Sequence, residues 1–302
     1  MPQGSEPRPK HQEEGPSVRS QNRTSSQRTR NIAVASVAVA GALALSGCTS
    51  QVQNGWLPGS RDTTSNTGTI TDLWVNSWIA ALLVGAVTWG LILWCIVAYR
   101  RRKGTVGFPR QTSYNLPLEI FYTAIPLFLV VVFFYFTDRD QRSIDNPNAN
   151  PDVTINVVGK QWSWDFNYKQ GGVIKDNVYE AGTQAHLNGS SIDLNSLPTL
   201  YLPVGKTVTL ELTSRDVNHS FWVPAFLQKR DVIPGHPNTM YFTPTKEGTY
   251  EGKCAELCGE YHSEMLFRVK VVSEAEFEAH LAGLPMGLLD TTYDRNPDQL
   301  QK

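Results

Sequence analysis

The stretch KCAELCGEYHSEM, residues 253–265, brings two cysteines, one histidine and one methionine close together. A disulfide between Cys254 and Cys258 is one interpretation, because disulfides persist in exported domains. The short spacing beside Gly259 makes such a ring conceivable. A disulfide would leave His262 and Met265 unexplained, so a metal site has to be considered as well.

A metal site at this loop has two chemical versions. Structural zinc commonly adds a second cysteine pair, whereas only Cys48 and Cys95 remain elsewhere in the chain. Thiolate, imidazole and thioether are soft ligands that select copper. Copper therefore explains the loop better, and zinc stays an alternative at this point. His219, in SRDVNHSFWVPAF (214–226), follows a predicted strand and would add a second imidazole, while a second thiolate is what two bridged copper ions need.

The N-terminal part has the layout of an export signal. Residues 1–31 are rich in Pro, Ser, Gln and Arg, and residues 32–45 are small and apolar. This apolar run is too short to span a bilayer, and its basic leader is typical of a signal peptide. The sequence LSGC at 45–48 resembles the bacterial lipobox, in which Cys48 would carry a lipid. We predict a signal peptide with a long disordered basic leader over 1–47 and an exported linker over 48–72.

Two longer apolar runs, 73–99 and 118–136, each approach the length that a membrane-spanning helix requires. Between them lie Arg100, Arg101, Arg102, Lys103 and Arg110 without any acidic residue, which places this loop in the cytoplasm. We therefore predict a transmembrane hairpin over 73–137, with a cytoplasmic loop at about 100–117. Everything after this hairpin then lies on the outer face of the cell membrane, where the signal also directs the N-terminus.

The exported part has the pattern of an all-β domain. Residues 154–159, 207–213 and 267–271 alternate between apolar and polar, as half-buried strands do. Gly and Pro clusters separate them at intervals typical of a sandwich or small barrel. We predict a linker over 138–151, a β-domain over 152–273 and a tail over 274–302 that starts with a helix capped by Ser273. The Gly-, Ser- and Asn-rich residues 180–195 are expected to form a long surface loop.

The exported part is also acidic and rich in aromatic residues. From residue 138 onward it contains 22 Asp and Glu residues and 15 Lys and Arg residues, which would attract basic partners. In QWSWDFNY (161–168), Trp162, Trp164, Phe166 and Tyr168 alternate with polar residues, so all four rings are expected on one face of a strand.

The motifs carry a resemblance to one family. CAELCGEYHSEM is similar to the loop that binds the binuclear copper A centre in cytochrome c oxidase subunit II. The pattern C-x-E-x-x-C-x-x-x-H-x-x-M matches at Cys254, Glu256, Cys258, His262 and Met265. DVNHSFWVPAF is similar to the other histidine segment of that family, and the resemblance covers roughly residues 70–275.

This resemblance implies a membrane-anchored fold, in which a two-helix transmembrane hairpin precedes an all-β cupredoxin-like Greek-key barrel domain. It implies two copper ions bridged by Cys254 and Cys258, with His219 and His262 as terminal ligands and Met265 as an axial ligand. Glu256 would bind copper through its main-chain carbonyl. Its side chain would face a magnesium or manganese ion at the interface with subunit I.

Further positions follow from the same resemblance. Trp162 corresponds to the residue at which the family accepts electrons, although most members have histidine where this chain has Lys160. Glu119, in LPLEIFYTAIP, corresponds to the glutamate at the mouth of a proton path; alternatively it simply extends from a helix end to water. His236 stands where the family usually has arginine, which puts any contact of that arginine in doubt. With His186 and His280, we expect His236 to be an ordinary surface histidine.

The implied function is that of subunit II of an aa3-type oxidase. It would pass electrons from cytochrome c, or from a membrane-bound c-type cytochrome, to haem in subunit I, for oxygen reduction coupled to proton pumping. Its expected partners are subunits I and III and membrane lipid, with no nucleic acid. No C-x-x-C-H motif is present, so the donor haem is expected on a separate protein.

Three other classes of protein are alternatives to this hypothesis. Subunit II of quinol oxidases is built similarly but lacks the copper ligands. Nitrous oxide reductase has a similar copper loop but is a soluble enzyme with a large propeller. A lipid-anchored copper-binding or assembly protein without electron transfer stays open from the sequence.

Overall fold

A computed structural model describes residues 30–31, 34–36, 49–102, 104, 106–108, 111–147, 150–185, 187–188 and 191–291. Two compact units make up the chain, Met1–Gln53 and Asn54–Lys302. In the first unit a one-turn helix, α1, spans Ser50–Gln53. Cys48 and most of the expected signal peptide lie outside the described residues, as do residues 292–302 of the tail.

Two long helices open the second unit: α2 spans Thr67–Ala98 and α3 spans Leu116–Ile144. Both are long and apolar enough to cross a membrane, and their apolar side chains are exposed. The helices extend beyond the apolar runs: α2 begins inside the range expected to be a linker, and α3 continues past residue 137. A polar interaction supports the extra turns of α3, since Asp138 pairs with Arg142 at 2.8 Å, one helical turn away.

In the described part of the second unit, short strands follow the helices. Their bounds are β1 Val153–Lys160, β2 Ser163–Lys169, β3 Val178–Glu180, β4 Leu187–Asn188, β5 Ser191–Ile192, β6 Thr199–Pro203, β7 Val208–Ser214, β8 His219–Val223, β9 Gln228–Val232, β10 Asn238–Phe242, β11 Gly248–Cys254 and β12 Leu266–Val272. Three-residue 3₁₀ turns lie at Leu194–Ser196, Pro224–Phe226 and His262–Glu264.

The strands form two five-stranded sheets around one core. The first sheet has the order β10-β7-β1-β2-β3 and the second has the order β6-β12-β11-β8-β9, while β4 and β5 form a separate small hairpin. The pairs β1–β7 and β12–β6 are parallel, and the other pairs are antiparallel. The predicted order of a membrane hairpin followed by an all-β domain is therefore confirmed.

The central strands of the first sheet are buried on both faces, which differs from the half-buried strands that the alternation predicted. In β1, Asn156 and Val158 are as buried as the apolar residues between them. In β2, Asp165 and Asn167 are also buried. Chain segments cover this outer side: Gly182 N–H donates to the Asp165 carboxylate at 2.8 Å, and Asn167 exchanges two hydrogen bonds with the backbone of Leu289. The polar residues are thus satisfied by backbone rather than by water.

The core face of β2 carries three of the four rings of the aromatic run. Trp164, Phe166 and Tyr168 are fully buried, and Trp164 meets Phe221 and Phe267 edge-on, with ring centroids 5.5 Å away in each case. Burying rings of this size supplies much of the apolar stabilisation of such a domain. Trp162 lies just before β2 and is only partly buried.

The segment that precedes α2 is attached to the β-domain. Ser65 N–H donates to the Thr243 carbonyl at 2.9 Å, and Thr245 N–H donates to the Thr63 carbonyl at 3.1 Å. The Asn66 amide also donates to the Tyr241 carbonyl at 2.7 Å. At the end of α3, Asp145 forms an ion pair with Arg230 of β9. Both membrane helices are therefore connected to the sheets by polar contacts.

A short helix, α4, closes the domain over Glu274–Ala282. As the sequence predicts, Ser273 is its N-cap, and the serine hydroxyl accepts from Glu276 N–H at 3.3 Å. Phe277 anchors the helix, since its ring is fully buried and lies edge-on to Tyr168 at 6.0 Å.

Gly252→Ala should destabilise the β-domain by about 1–3 kcal/mol, the usual cost of overpacking a core. A Cβ at Gly252 would lie 2.2 Å from the buried Phe267 ring. The measurement is the thermal midpoint of the full chain in detergent, followed by far-ultraviolet circular dichroism. Gly283→Ala is the matched control, because its Cβ would meet only the His280 carbonyl at 3.5 Å. Equal midpoints for the two variants would contradict the packing described.

Candidate metal centre

The two segments singled out in the sequence meet at one end of the second sheet. His219 is the first residue of β8, and Cys254 is the last residue of β11, where it pairs with Phe221 of β8. The loop after Cys254 returns to the sheet at Met265, whose carbonyl accepts from Cys254 N–H at 3.1 Å. The sheet register therefore holds both ends of the loop together with the upstream histidine.

The sulfur and imidazole atoms form two cysteine–histidine pairs, and the two cysteine sulfurs lie next to each other. Cys254 Sγ lies 3.9 Å from His219 Nδ1, and Cys258 Sγ lies 3.4 Å from His262 Nδ1. The two sulfurs are 3.9 Å apart, far beyond the roughly 2.05 Å of a disulfide bond. Met265 Sδ lies 3.7 Å from Cys258 Sγ. Each thiol thus has its own imidazole, and both cysteines are free.

The ligand atoms of His219, Cys254 and Cys258 all lie within 4.8 Å of one another and belong to buried residues. The Glu256 carbonyl is 3.2 Å from Cys254 Sγ, while the Glu256 side chain is exposed. Soft sulfur donors, imidazoles and one carbonyl, screened from water, fit copper ions. A second cysteine pair for zinc does not approach the cluster within the described part of the chain.

A buried carboxylate orients the upstream histidine. His219 Nε2 and Asp216 Oδ1 are 2.7 Å apart, and both side chains are almost completely buried. This contact leaves Nδ1 facing the cysteines, as a partner on the other ring nitrogen does for many metal-binding histidines. Burial lowers the pKa of His219, but the hydrogen bonds to Asp216 and Cys254 and their negative charge outweigh it, so the pKa is raised. Gly159 makes room for the ring, since a Cβ there would lie 2.9 Å from His219 Cδ2.

The two thiols differ in acidity. Burial raises the pKa of Cys254, but hydrogen bonds from His219 and from backbone groups outweigh it, and the net pKa is lowered. Burial and the adjacent Cys254 raise the pKa of Cys258 to about 12. Two neighbouring sulfurs resist ionising together, because each thiolate repels the other. A bound cation removes this conflict, so the pair is suited to hold metal as two thiolates.

The aromatic segment that begins at Gln161 contacts the cysteine-containing loop at the carbonyl oxygen of Cys258. Trp162 Nε1 lies 3.3 Å from the Cys258 carbonyl oxygen, and the ring meets Tyr261 edge-on at 4.9 Å. The Gln161 amide donates to the same carbonyl at 2.7 Å, and Gln161 N–H donates to the Asp216 carboxylate at 2.6 Å. Gln161 and Asp216 were not singled out from the sequence. Gln161 stands immediately before Trp162, and Asp216 stands three residues before His219; this closeness in sequence was the one available signal.

Other predicted positions lie apart from the cluster. Glu119 is in the first turn of α3, where its carboxylate accepts from Asn115 N–H at 3.2 Å. Lys160 pairs with the buried Asp165 at 2.7 Å. His236 is exposed as expected.

Two other histidines complete this comparison. His280 is partly buried and stacks on Tyr201 with ring centroids 3.6 Å apart. The expectation of an ordinary surface histidine is wrong at this position, because α4 packs against β6. His186 and Cys48 lie outside the described residues.

Fold and cluster together define a protein with two apolar helices of membrane-spanning length and an all-β domain, which carries a buried cysteine–histidine cluster able to hold a metal ion. Residues 153–272 match the model of the family described as cytochrome c oxidase subunit II, periplasmic domain. A probable cytochrome c oxidase subunit 2 of Streptomyces coelicolor is 47% identical over 268 residues, 78% of this chain and 83% of that protein. Its counterpart in Streptomyces avermitilis is 46% identical over 261 residues, 75% of this chain and 81% of that protein.

This chain belongs to the cytochrome c oxidase subunit II family, and it is therefore a subunit of a terminal oxidase. The fold class expected from the resemblance, a membrane hairpin followed by a cupredoxin-like domain, is confirmed by the family match and the sheets. Among solved structures, the periplasmic domain of subunit II of cytochrome oxidase of Bradyrhizobium japonicum is 31% identical, with a TM-score of 0.39. The superposition covers 46% of this chain and 95% of the Bradyrhizobium chain.

In the metal-free chain at neutral pH, iodoacetamide should alkylate Cys254 before Cys258, because reaction follows the thiolate fraction. The pKa of Cys254 is lowered, whereas that of Cys258 is raised to about 12, so raising the pH should increase labelling of Cys254 first. Mass spectrometry of the peptide containing residues 253–265 measures both rates. The denatured chain is the control, in which the two rates should converge. Equal rates in the folded chain would contradict the assigned acidities.

Proposed function

We propose that this chain is the electron-accepting subunit of an aa3-type cytochrome c oxidase. Electrons from cytochrome c, or from a membrane-bound c-type cytochrome, would enter near Trp162 and pass through a binuclear copper A centre to haem in subunit I. Oxygen reduction and proton pumping would take place in subunit I, with subunit III as a further partner. The observation that carries the proposal is the pair of buried thiols, each beside its own imidazole.

Different residues of the chain would have different roles in binding the two copper ions. Cys254 and Cys258 would bridge the ions, and His219 and His262 would each bind one of them. Met265 and the Glu256 carbonyl complete the donors within reach of the sulfurs. Bound there, two copper ions would share one electron between them, which reduces the rearrangement that accompanies each transfer.

The surrounding protein keeps this site rigid and dry. Both cysteines, His219 and Met265 are buried. The hydrogen bond that His219 Nε2 donates to the Asp216 carboxylate fixes the ring of His219, and the bond between Cys254 N–H and the Met265 carbonyl closes the loop. Ligands that are fixed before an electron arrives need little movement when it does, which is the general advantage of a preorganised site.

Trp162 would receive the electron, and two observations support this role. Its ring is partly exposed, so a donor can approach it, and its indole nitrogen lies 3.3 Å from the carbonyl of Cys258. This contact supplies a short route from the surface to one of the sulfurs. The acidic excess of the exported part supports docking of a basic cytochrome.

The same family relationship supports two further roles. The exposed Glu256 side chain would bind magnesium or manganese at the interface with subunit I, while the Glu256 carbonyl faces the thiols. Glu119, at the cytoplasmic end of α3, would lie at the mouth of a proton path into subunit I. Its hydrogen bond to Asn115 N–H also caps the helix, so capping is the alternative role.

The proposed topology follows from the charges that flank the helices. Arg100, Arg101 and Arg102 follow α2 and mark the cytoplasmic side, so α2 and α3 would span the cell membrane and place the β-domain on its outer face. The division into linkers, hairpin, copper domain and tail stays a prediction, as do signal cleavage and a lipid anchor at Cys48.

Cys254→Ser should abolish the binuclear centre. The wild-type chain loaded with copper is expected to hold two ions per polypeptide and to give an electron paramagnetic resonance spectrum spread over two copper nuclei. The variant loses one bridging sulfur and should lose that spectrum. Cys95→Ser is the matched control, because Cys95 lies in α2 away from the cluster. A variant spectrum identical to the wild type would refute the binuclear assignment and leave a single-copper or storage site.

Trp162→Phe should slow electron transfer from cytochrome c by more than an order of magnitude, because phenylalanine cannot donate to the Cys258 carbonyl. The measurement is the rate at which reduced cytochrome c reduces the copper centre in the purified oxidase, followed by stopped flow. Trp222→Phe is the control, since Trp222 lies in β8 and faces Lys253 rather than the loop carbonyl. A rate that falls equally in both variants would argue against Trp162 as the electron-accepting residue.

A further inference from the structure

We propose that the outer face of the second sheet is a docking surface for an acidic segment of another protein, and that this segment also carries an apolar side chain. We call this surface the basic face. Its four cations are Lys229, Lys253, Arg268 and Lys270.

Strand register places these cations together. Lys253 is opposite Leu266 on one side and Trp222 on the other, and Trp222 is opposite Lys229. Residues directly opposite in a ladder share a face. Arg268 and Lys270 follow Leu266 at every second position of β12, so they point the same way, while Phe267, Val269 and Val271 point into the core.

The cations of the basic face are held in place but not neutralised. Lys253 lies 4.6 Å from the centroid of the Trp222 ring, and Lys270 lies 5.1 Å from that of Tyr201 while donating to its hydroxyl at 2.9 Å. Within the described residues, none of the four cations forms an ion pair. The acidic neighbours are Glu251, opposite Arg268, and Asp231 in β9. The basic face therefore keeps unpaired positive charge on a domain whose overall charge is negative.

A groove of about 310 Å³ runs along this face. One wall is apolar and includes Leu194, Leu197 and Pro224, and the other carries the two cations Lys253 and Arg268 together with one acidic residue, Glu251. Leu194 is 54% exposed, so its side chain is accessible to a partner in the groove. An apolar wall beside two cations suits a segment with carboxylates on one side and an apolar side chain on the other.

Leu194 of the apolar wall belongs to the Gly-, Ser- and Asn-rich loop 180–195, to which the sequence assigned no role. Glu180 closes the base of this loop by accepting from Thr199 N–H at 2.8 Å. Near its start, the Gln184 amide donates to the Glu264 carboxylate at 2.7 Å, in the turn between His262 and Met265. A partner bound in the groove would therefore contact a loop that is hydrogen-bonded to the segment between Cys254 and Met265.

Charge and shape favour a protein segment over a lipid surface. Anionic headgroups would also meet the four cations, but a bilayer surface is flat, whereas the groove is concave. The acidic excess of the exported part would also repel an anionic membrane. An extended segment with acidic side chains can enter the groove and follow it.

The test uses the full chain in neutral detergent and a short fluorescent peptide of alternating Asp and Glu with one central leucine. Fluorescence anisotropy should show binding that weakens as salt rises. The double variant Lys253→Glu with Arg268→Glu should weaken binding by about tenfold or more, because like charges then face each other. The control Lys175→Glu with Lys246→Glu changes the net charge equally, away from the basic face, and should bind as the wild type does.

Further arms separate the competing explanations. A peptide with Ser in place of Leu should bind more weakly, and one with Asn and Gln in place of the acids should not bind. The milder Lys253→Gln with Arg268→Gln should show an intermediate loss, which covers the case in which charge reversal disturbs folding. Equal losses in the basic-face and control variants would overturn the proposal. So would displacement of the peptide by dihexanoyl phosphatidylglycerol but not by dihexanoyl phosphatidylcholine, which would assign the face to lipid.

Discussion

Two sulfur atoms held 3.9 Å apart inside a β-domain are the constraint on which the site depends. Without metal, the pair resists full ionisation, as the pKa of about 12 for Cys258 reflects. The sheet maintains this arrangement, because β11 precedes the loop, β12 follows it, and the two strands pair with each other. The Trp164 indole nitrogen also lies 3.3 Å from the Met265 carbonyl oxygen at the end of the loop. The cysteine–histidine cluster is thus an extension of the core rather than an addition to its surface.

Much of the fold could be predicted because its signals are local. Apolar length revealed both membrane helices, period two revealed β1, β7 and β12, and Ser273 revealed α4. The cluster itself could be predicted for the same reason: Cys254, Cys258, His262 and Met265 are close in sequence, and the structure brings their side chains together. His219 is distant in sequence, and it was found because of the pattern around it.

What could not be predicted depends on contacts between distant segments. Asn156, Asp165 and Asn167 occupy positions that alternation assigns to solvent, yet backbone from other parts of the chain covers them. Gln161 and Asp216 form a hydrogen-bonded link between the aromatic turn, the upstream histidine and the loop carbonyl. No periodicity in a single sequence reports such a link, because its members come from three different strands or loops.

The polar contacts between the membrane helices and the sheets limit how the exported domain can move. Immediately before α2, the backbone of Thr63 and Ser65 forms hydrogen bonds with the backbone of Thr243 and Thr245. The segment that joins this helix to the domain is therefore fixed to a sheet. The ion pair between Asp145 and Arg230 adds a second attachment just after α3. With these two attachments, the β-domain cannot rotate or shift relative to the two helices without breaking these bonds. Electron tunnelling falls off exponentially with distance. In the proposed transfer, these attachments would keep the distance between the copper centre of this domain and its acceptor in the membrane constant.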